Sequence, residues 1–135
     1  MIQLITTTEQ TLAPGQSITF EQYTQTKNSC CSMGRVTPSS LVLKQNGIYQ
    51  VSFGANIGGP TAATPVQLSI EVAGSPVSGG TMMSTPAATT DFNSVSRMIP
   101  VVNGCGYAVT VTVTNSGANS VIVAPGAVLS VTRIA

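Results

Sequence analysis

The sequence contains no histidine and no tryptophan, and it has little charge. Charged residues make up 7% of the chain, against about 25% in ordinary globular domains. Five Lys/Arg and four Asp/Glu leave a net charge of +1. The cations Lys27, Arg35, Lys44, Arg97 and Arg133 are scattered along the chain, so no basic patch is available for phosphate-driven binding to nucleic acid. The carboxylates Glu9, Glu21, Glu71 and Asp91 are also far apart and build no acidic metal cage. There is no histidine and the cysteine spacing fits no zinc pattern, and the commonest general base for a nucleophile is missing. The short Gly-Gly-Thr at 79–81 is followed by no Gly-Lys-Ser/Thr, so no phosphate loop is present. This reading predicts no enzyme, no cofactor and no metal site.

Other absences bound the class. No apolar run exceeds five residues, whereas a membrane helix needs about 20; membrane insertion is not expected. The N-terminal "MIQLITTTEQT" has neither a basic region nor a long apolar core, so it does not read as a secretion signal. Of the three cysteines, Cys30 and Cys31 are neighbours, which rarely pair, while a bridge from Cys105 to either stays open. They are read as small free thiols of a protein made in a reducing cytosol. Low charge does not mean disorder here, because 42% of residues are apolar. The surface must then be neutral and polar, built from Thr, Ser, Asn and Gln, and such a surface suits a protein that lives in an assembly.

What the chain does contain is strand signal. Thr and Val make up roughly a quarter of the residues, and both fit a pleated surface. In "VQLSIEV", Val66, Leu68, Ile70 and Val72 face one way. In "YAVTVTVT", Val109, Val111 and Val113 oppose Thr110, Thr112 and Thr114. Tyr49, Val51 and Phe53 share a face, and near the end Leu129, Val131 and Arg133 oppose Val128, Ser130, Thr132 and Ile134. Repeated period-two alternation predicts half-buried antiparallel strands. Asn46-Gly47, Ala73-Gly74-Ser75-Pro76, Asn115-Ser116-Gly117 and Pro125-Gly126 punctuate them as turns, with the 73–76 stretch a hairpin connection. Gly54 to Pro65 and Ser84 to Asp91 read as loops, and no window carries a helical pattern. The spacing predicts one all-β domain over residues 1–135, a sandwich or barrel. Two segments are apolar on both faces: Ile122 opposes Val121 and Val123, and Ile48 opposes Tyr49. A sheet of that kind needs a partner beyond its sandwich mate.

These segments resemble the C1q/TNF-like jelly roll, especially its bacterial and phage branch, which includes C-terminal domains of spore-surface collagen-like glycoproteins. The resemblance rests on "LVLKQNGIYQVSF" (Leu41 to Phe53), "VQLSIEVAGSPV" (Val66 to Val77), "VTVTVTNSG" (Val109 to Gly117) and "VIVAPGAVLSVTRIA" (Val121 to Ala135). It implies an antiparallel jelly-roll sandwich of about eight to ten strands that closes into a compact homotrimer, one sheet facing the threefold axis. Tyr49, Phe53, Tyr107, Val121, Val123 and Leu129 are the residues expected to pack the core or the trimer contact. Residues Met1 to Thr11, with Met1, Ile2, Leu4 and Ile5, match the roll weakly and are expected to form a docking arm.

The function expected is structural: a trimeric, non-enzymatic surface protein of a phage virion, such as a head decoration or head-fibre component. It would be made in the bacterial host cytoplasm and bound to a capsid or other virion protein. The start at Met1, with no collagen-like stalk before the domain, sets the expectation of a complete small protein. The alternative is a glycan- or receptor-binding head of a fibre or spore-surface collagen-like glycoprotein, placed on a spore or cell surface and contacting a host-surface glycan. A third option is a secreted bacterial C1q-like domain.

Overall fold

The computed structural model describes residues 1–25, 33–104 and 108–135, with the side chains of residues 35 and 36 excepted. Among these it contains twelve strands in two antiparallel sheets. They are β1 (Ile2–Ile5), β2 (Gln10–Leu12), β3 (Gln22–Gln25), β4 (Met33–Thr37), β5 (Ser40–Leu43) and β6 (Gly47–Gly58), followed by β7 (Val66–Val72), β8 (Ser75–Ser84), β9 (Asn93–Asn103), β10 (Val109–Asn115), β11 (Val121–Val123) and β12 (Val128–Arg133). The expected strand count of eight to ten is therefore too low, because short strands such as β2 and β11 are three residues each. Segments that short carry too few residues to display an alternation.

The first sheet runs β2-β11-β6-β12-β1-β3, with β9 on the other edge of β6. Strand β6 organises it. It is 12 residues long, so one edge pairs with β9 from Gly47 to Ile57 while the other pairs first with β12 and then with β11. The second sheet runs β4-β5-β10-β7-β8. Alternating apolar residues from both inner faces fill the space between the sheets. Tyr49, Val51, Phe53, Leu129 and Val131 of the first sheet are buried in one cluster with Leu68, Ile70, Val111 and Val113 of the second. Burying each such side chain contributes about 1.5–3 kcal/mol before the entropy of ordering is counted.

Turn chemistry appears where the sequence places it. Ala73 and Gly74, at φ 54° and 83°, make the two-residue connection of the β7–β8 hairpin. Two positive φ values give the twist that hairpin strands need, which is why glycine sits there. Pro125-Gly126 separates β11 from β12.

The loop expected from Gly54 begins later. Gly54 to Gly58 continue β6, because Gly54, Ala55, Asn56 and Ile57 each pair with β9 and Ile57 is fully buried. Cross-strand pairing overrides the low strand propensity of Gly and Asn there.

The docking arm expected over Met1 to Thr11 is corrected in the same way. Residues 2–5 form β1, which pairs with β12 on one side and β3 on the other. Ile2 and Leu4 are fully buried, and Gln10 to Leu12 form β2. The segment is woven into the first sheet. Its Thr-rich neutrality comes from a strand with one buried face followed by a turn.

Two buried amides and a buried hydroxyl lock the corners. Asn103 donates from Nδ2 to the carbonyls of Leu43 (3.1 Å) and Gln45 (3.3 Å), tying β9 to the chain that leaves β5. The Tyr49 hydroxyl donates to the same Gln45 carbonyl at 2.7 Å. Asn115 donates to the carbonyls of Leu12 (3.0 Å) and Asn119 (2.8 Å) and accepts from the amide of Gly117 (3.0 Å). Its side chain does the work of a turn at the end of β10.

Candidate interaction face

The outer face of the first sheet follows from register. Opposed residues of antiparallel strands share a face. On β9 and β6 the outward pairs are Val102 with Ile48, Pro100 with Gln50, and Met98 with Ser52. On β12 and β6 they are Thr132 with Gln50, Ser130 with Ser52, and Val128 with Gly54. On β1 and β12 they are Gln3 with Ser130 and Ile5 with Val128. Ile134 continues β12 beside Ile48, donating its amide to the Ile48 carbonyl at 2.8 Å. At the far end Ile122 opposes Gly58, and the ring of Phe92 lies over Gly58, 3.2 Å from where a Cβ would stand.

The face is uncharged, and among its Gln, Ser and Thr residues it exposes several large apolar side chains. Met98 is 65% exposed and Val102 68%. Ile48, Phe92 and Ile134 are exposed as well. Of the other large exposed apolar side chains, Met83 lies opposite Gln67 on the outside of the second sheet, and Tyr23 sits on the edge strand β3. Among the described residues, the register puts no charged side chain on this face; Arg97 of β9 pairs with the inward-facing Phe53 and so belongs to the other side of the strand. Exposed apolar side chains grouped without charge are the kind of surface that association covers. The far side differs, for Thr110, Thr112 and Glu71 face outward from the second sheet.

Several expected packing residues lie inside a single chain. Tyr49, Val121, Val123 and Leu129 are fully buried and Phe53 is 2% exposed, all within the sandwich. The residues placed on the outer face are instead Ile48, Met98, Val102, Phe92, Ile122 and Ile134. The signal for two of these, Ile48 and Ile122, is the two-faced apolar pattern of their strands. Met98 and Val102 alternate with Ile99 and Val101 in "MIPVV", but Pro100 hides the strand pattern. Tyr107, Cys30, Cys31, Cys105 and Lys27 lie outside the described residues.

The four carboxylates stand on separate elements. Glu71 stands on β7, Asp91 in the loop before β9, Glu21 before β3 and Glu9 before β2. Asp91 has its amide bonded to the Ala88 carbonyl at 3.1 Å, a turn contact. Among the described residues no group of three His, Cys, Asp or Glu gathers to hold a metal ion. No helix among them is long and apolar enough to cross a membrane.

Glu21 has a structural task. Its carboxylate accepts from the Thr7 amide and the Thr8 hydroxyl, both at 2.6 Å. Slight burial pushes its pKa up, but the bonds from Thr8 and Thr7 outweigh that and hold it below the ordinary carboxylate value. It borders an open dip of about 650 Å³ with Gln10, Gln16, Thr19 and Ser39. These amides pin the local backbone. Gln10 bonds both the amide and the carbonyl of Thr19, and Gln16 accepts from the Ala13 amide at 2.8 Å.

No protein-family profile matches the chain, and no curated relative does. Solved structures do match. The chain is similar to the globular domain of zebrafish complement 1qA protein at 14% identity, covering 99% of this chain and 96% of that one, with a TM-score of 0.72. It is similar to the Eiger TNF of S. frugiperda at 9% identity, covering 99% and 91%, with a TM-score of 0.71. The PRD1 vertex protein P5 aligns at 15% identity over 99% of this chain and 96% of that chain, with a TM-score of 0.52. Sequences this far apart share architecture over nearly their whole length, and on that ground the chain has the C1q/TNF-like jelly-roll fold.

Proposed function

We propose that the protein is a non-enzymatic structural component of a virion surface that works as a homotrimer, three copies sharing the outer faces of their first sheets. The observation that carries this reading is that face itself: exposed Met98, Val102, Ile48 and Ile134 on a surface without charge. A solitary sandwich leaves that apolar area in water, and association removes it. Closed cyclic symmetry is the ordinary way for one chain to cover such a patch with copies of itself. The fold likeness to C1q and TNF domains and to a phage vertex protein supports the reading, as does the chain's near neutrality. Immunogold labelling with antibodies against the purified chain tests the location. Gold on intact phage particles from the source culture is the expected result, and gold on spores or cell envelopes alone contradicts it.

A second reading is supported by the loop end of the sandwich. A recess of about 280 Å³ there is lined by residues that include Pro14, Pro60, Thr61, Thr64 and Asn119. Asn119 Nδ2 donates to the Pro65 carbonyl at 3.0 Å, and the Ala63 amide donates to the Pro86 carbonyl at 2.9 Å, so neighbouring loops brace each other. An uncharged, braced recess suits a neutral glycan, and a glycan array with the purified oligomer distinguishes a binding head from a purely structural part.

A further inference from the structure

Three connections meet around the recess of about 280 Å³ at the loop end: the chain after β2, the chain from β6 to β7, and the turn from β10 to β11. Its lining includes Pro14, Pro60, Thr61, Thr64, Asn119 and Ser120, and none of its lining residues is charged. The β6–β7 connection is held in an unfavourable form. Ala63 stands at φ 54°, in the left-handed region that side chains disfavour. Ala73 has the same φ because its hairpin turn requires it, but β6 and β7 lie in different sheets and form no hairpin. Ala63 is instead held by its neighbours. Its amide donates to the Pro86 carbonyl (2.9 Å), the Thr64 hydroxyl donates to the Ala62 carbonyl (3.3 Å), and Asn119 donates to the Pro65 carbonyl (3.0 Å). Backbone strain enforced by the surroundings is a feature of ligand clamps.

The polar groups around this loop are only partly used. The Thr61 and Ser120 hydroxyls make no hydrogen bond among the described residues. Asn119 uses one amide hydrogen on Pro65, which leaves the other and its Oδ1 open. Hydroxyls and a primary amide each donate and accept, so they match a ligand whose groups do the same. Pro14 and Pro60 set apolar ring surfaces beside them. A pyranose carries that combination, with hydroxyls at its rim and C–H groups on its faces. A carboxylate or sulfate on the ligand would lose water here with no cation to pair it. The volume lies just below the roughly 300 Å³ at which ordinary small-molecule sites begin, so it holds one ring and not a chain of them.

We propose that this recess binds a single neutral hexose unit, the end of a glycan, and discriminates against acidic sugars. The inference rests on the glycan-binding reading above and deepens it. Thr61, Ser120 and Asn119 are the groups that read the sugar, and one chain supplies all of them.

The test titrates the full chain with methyl glucoside, methyl galactoside and methyl mannoside, and with the three matching methyl uronides, while backbone amide chemical shifts are followed. At least one neutral hexoside is expected to saturate and to move the amides of residues 61–64 and 118–120. Its uronide should bind about tenfold more weakly or worse, because its charge goes unpaired. Thr61→Val and Ser120→Ala remove hydroxyls that no protein group uses, so the double variant should melt with the wild type and bind the hexoside about tenfold more weakly. A uronide that binds as tightly as its hexoside overturns the proposal and leaves a glycan-binding head standing. Unchanged binding by the double variant does the same. Saturation by no hexoside also overturns it; a hit on the glycan array then keeps the head reading, and a blank array removes both.

Discussion

Gly47 lies under the returning end of the chain. A Cβ there would stand 2.5 Å from the Ala135 carbonyl oxygen and 2.7 Å from Arg133 Nε. The backbone, at φ 156°, also disfavours a side chain. Arg133 crosses above it to donate to the Gln45 side-chain oxygen (2.8 Å) and the Asn46 carbonyl (2.7 Å). The segments around Gly47 and Arg133, far apart in sequence, are thus two sides of one clasp. Gly47→Ala is expected to cost about 2 kcal/mol or more, since the backbone and Arg133 must both shift; a urea midpoint equal to the wild type contradicts the clasp. Glu21 makes a smaller contribution. Its folded pKa lies below the unfolded one, so its stabilisation is complete above the unfolded pKa and disappears as pH falls through the folded pKa. Exposure limits it to less than about 1 kcal/mol. Glu21→Gln should flatten the acid limb of the melting-temperature profile and leave any histidine-like transition near pH 6 absent in both proteins; an unchanged acid limb shows that the Thr7–Thr8 clasp contributes nothing.

Strands show how far the sequence could be read. The faces of β6, β7, β10 and β12 were legible because each alternates over six or more residues and each pairs on both sides. Val111, fully buried on β10 between Leu41 and Val72, tests them. Val111→Asp buries an unpaired charge at several kcal/mol and is expected to abolish soluble folding. Thr110→Asp, one residue away on the outer face, should stay within about 0.5 kcal/mol of the wild type. Equal yields from the two variants contradict the strand's orientation. What the sequence hid has physical causes too. Gly54 to Gly58 look like loop because their strand state comes from β9, not from their own propensity. The first eleven residues look like an arm because β1 shows only two buried side chains and β2 one. The corner roles of Asn103 and Asn115 depend on carbonyls distant in sequence, at Leu43 and Leu12. The apolar outer face could be sensed at Ile48 and Ile122, but its extent appears only when β9, β6 and β12 are set side by side.

For the whole molecule, the outer face of the first sheet leaves Met98, Val102, Ile48 and Ile134 exposed with no charge among them, and the proposed trimer covers it. Cores between sheets satisfy the inner residues, and hydrophobic association answers the outer ones. Met98 separates these two levels. Its side chain is exposed in the single chain, so Met98→Glu costs the fold little, yet it plants a charge where the proposed trimer brings copies together. The variant is expected to keep its secondary structure and lose its oligomer. The central claim is that this face is covered by other copies of the chain, and sedimentation equilibrium of the wild type at micromolar concentration tests it most directly. The account predicts a single species of three times the 13.7 kDa chain mass, which Met98→Glu reduces to one. A stable wild-type monomer would contradict it.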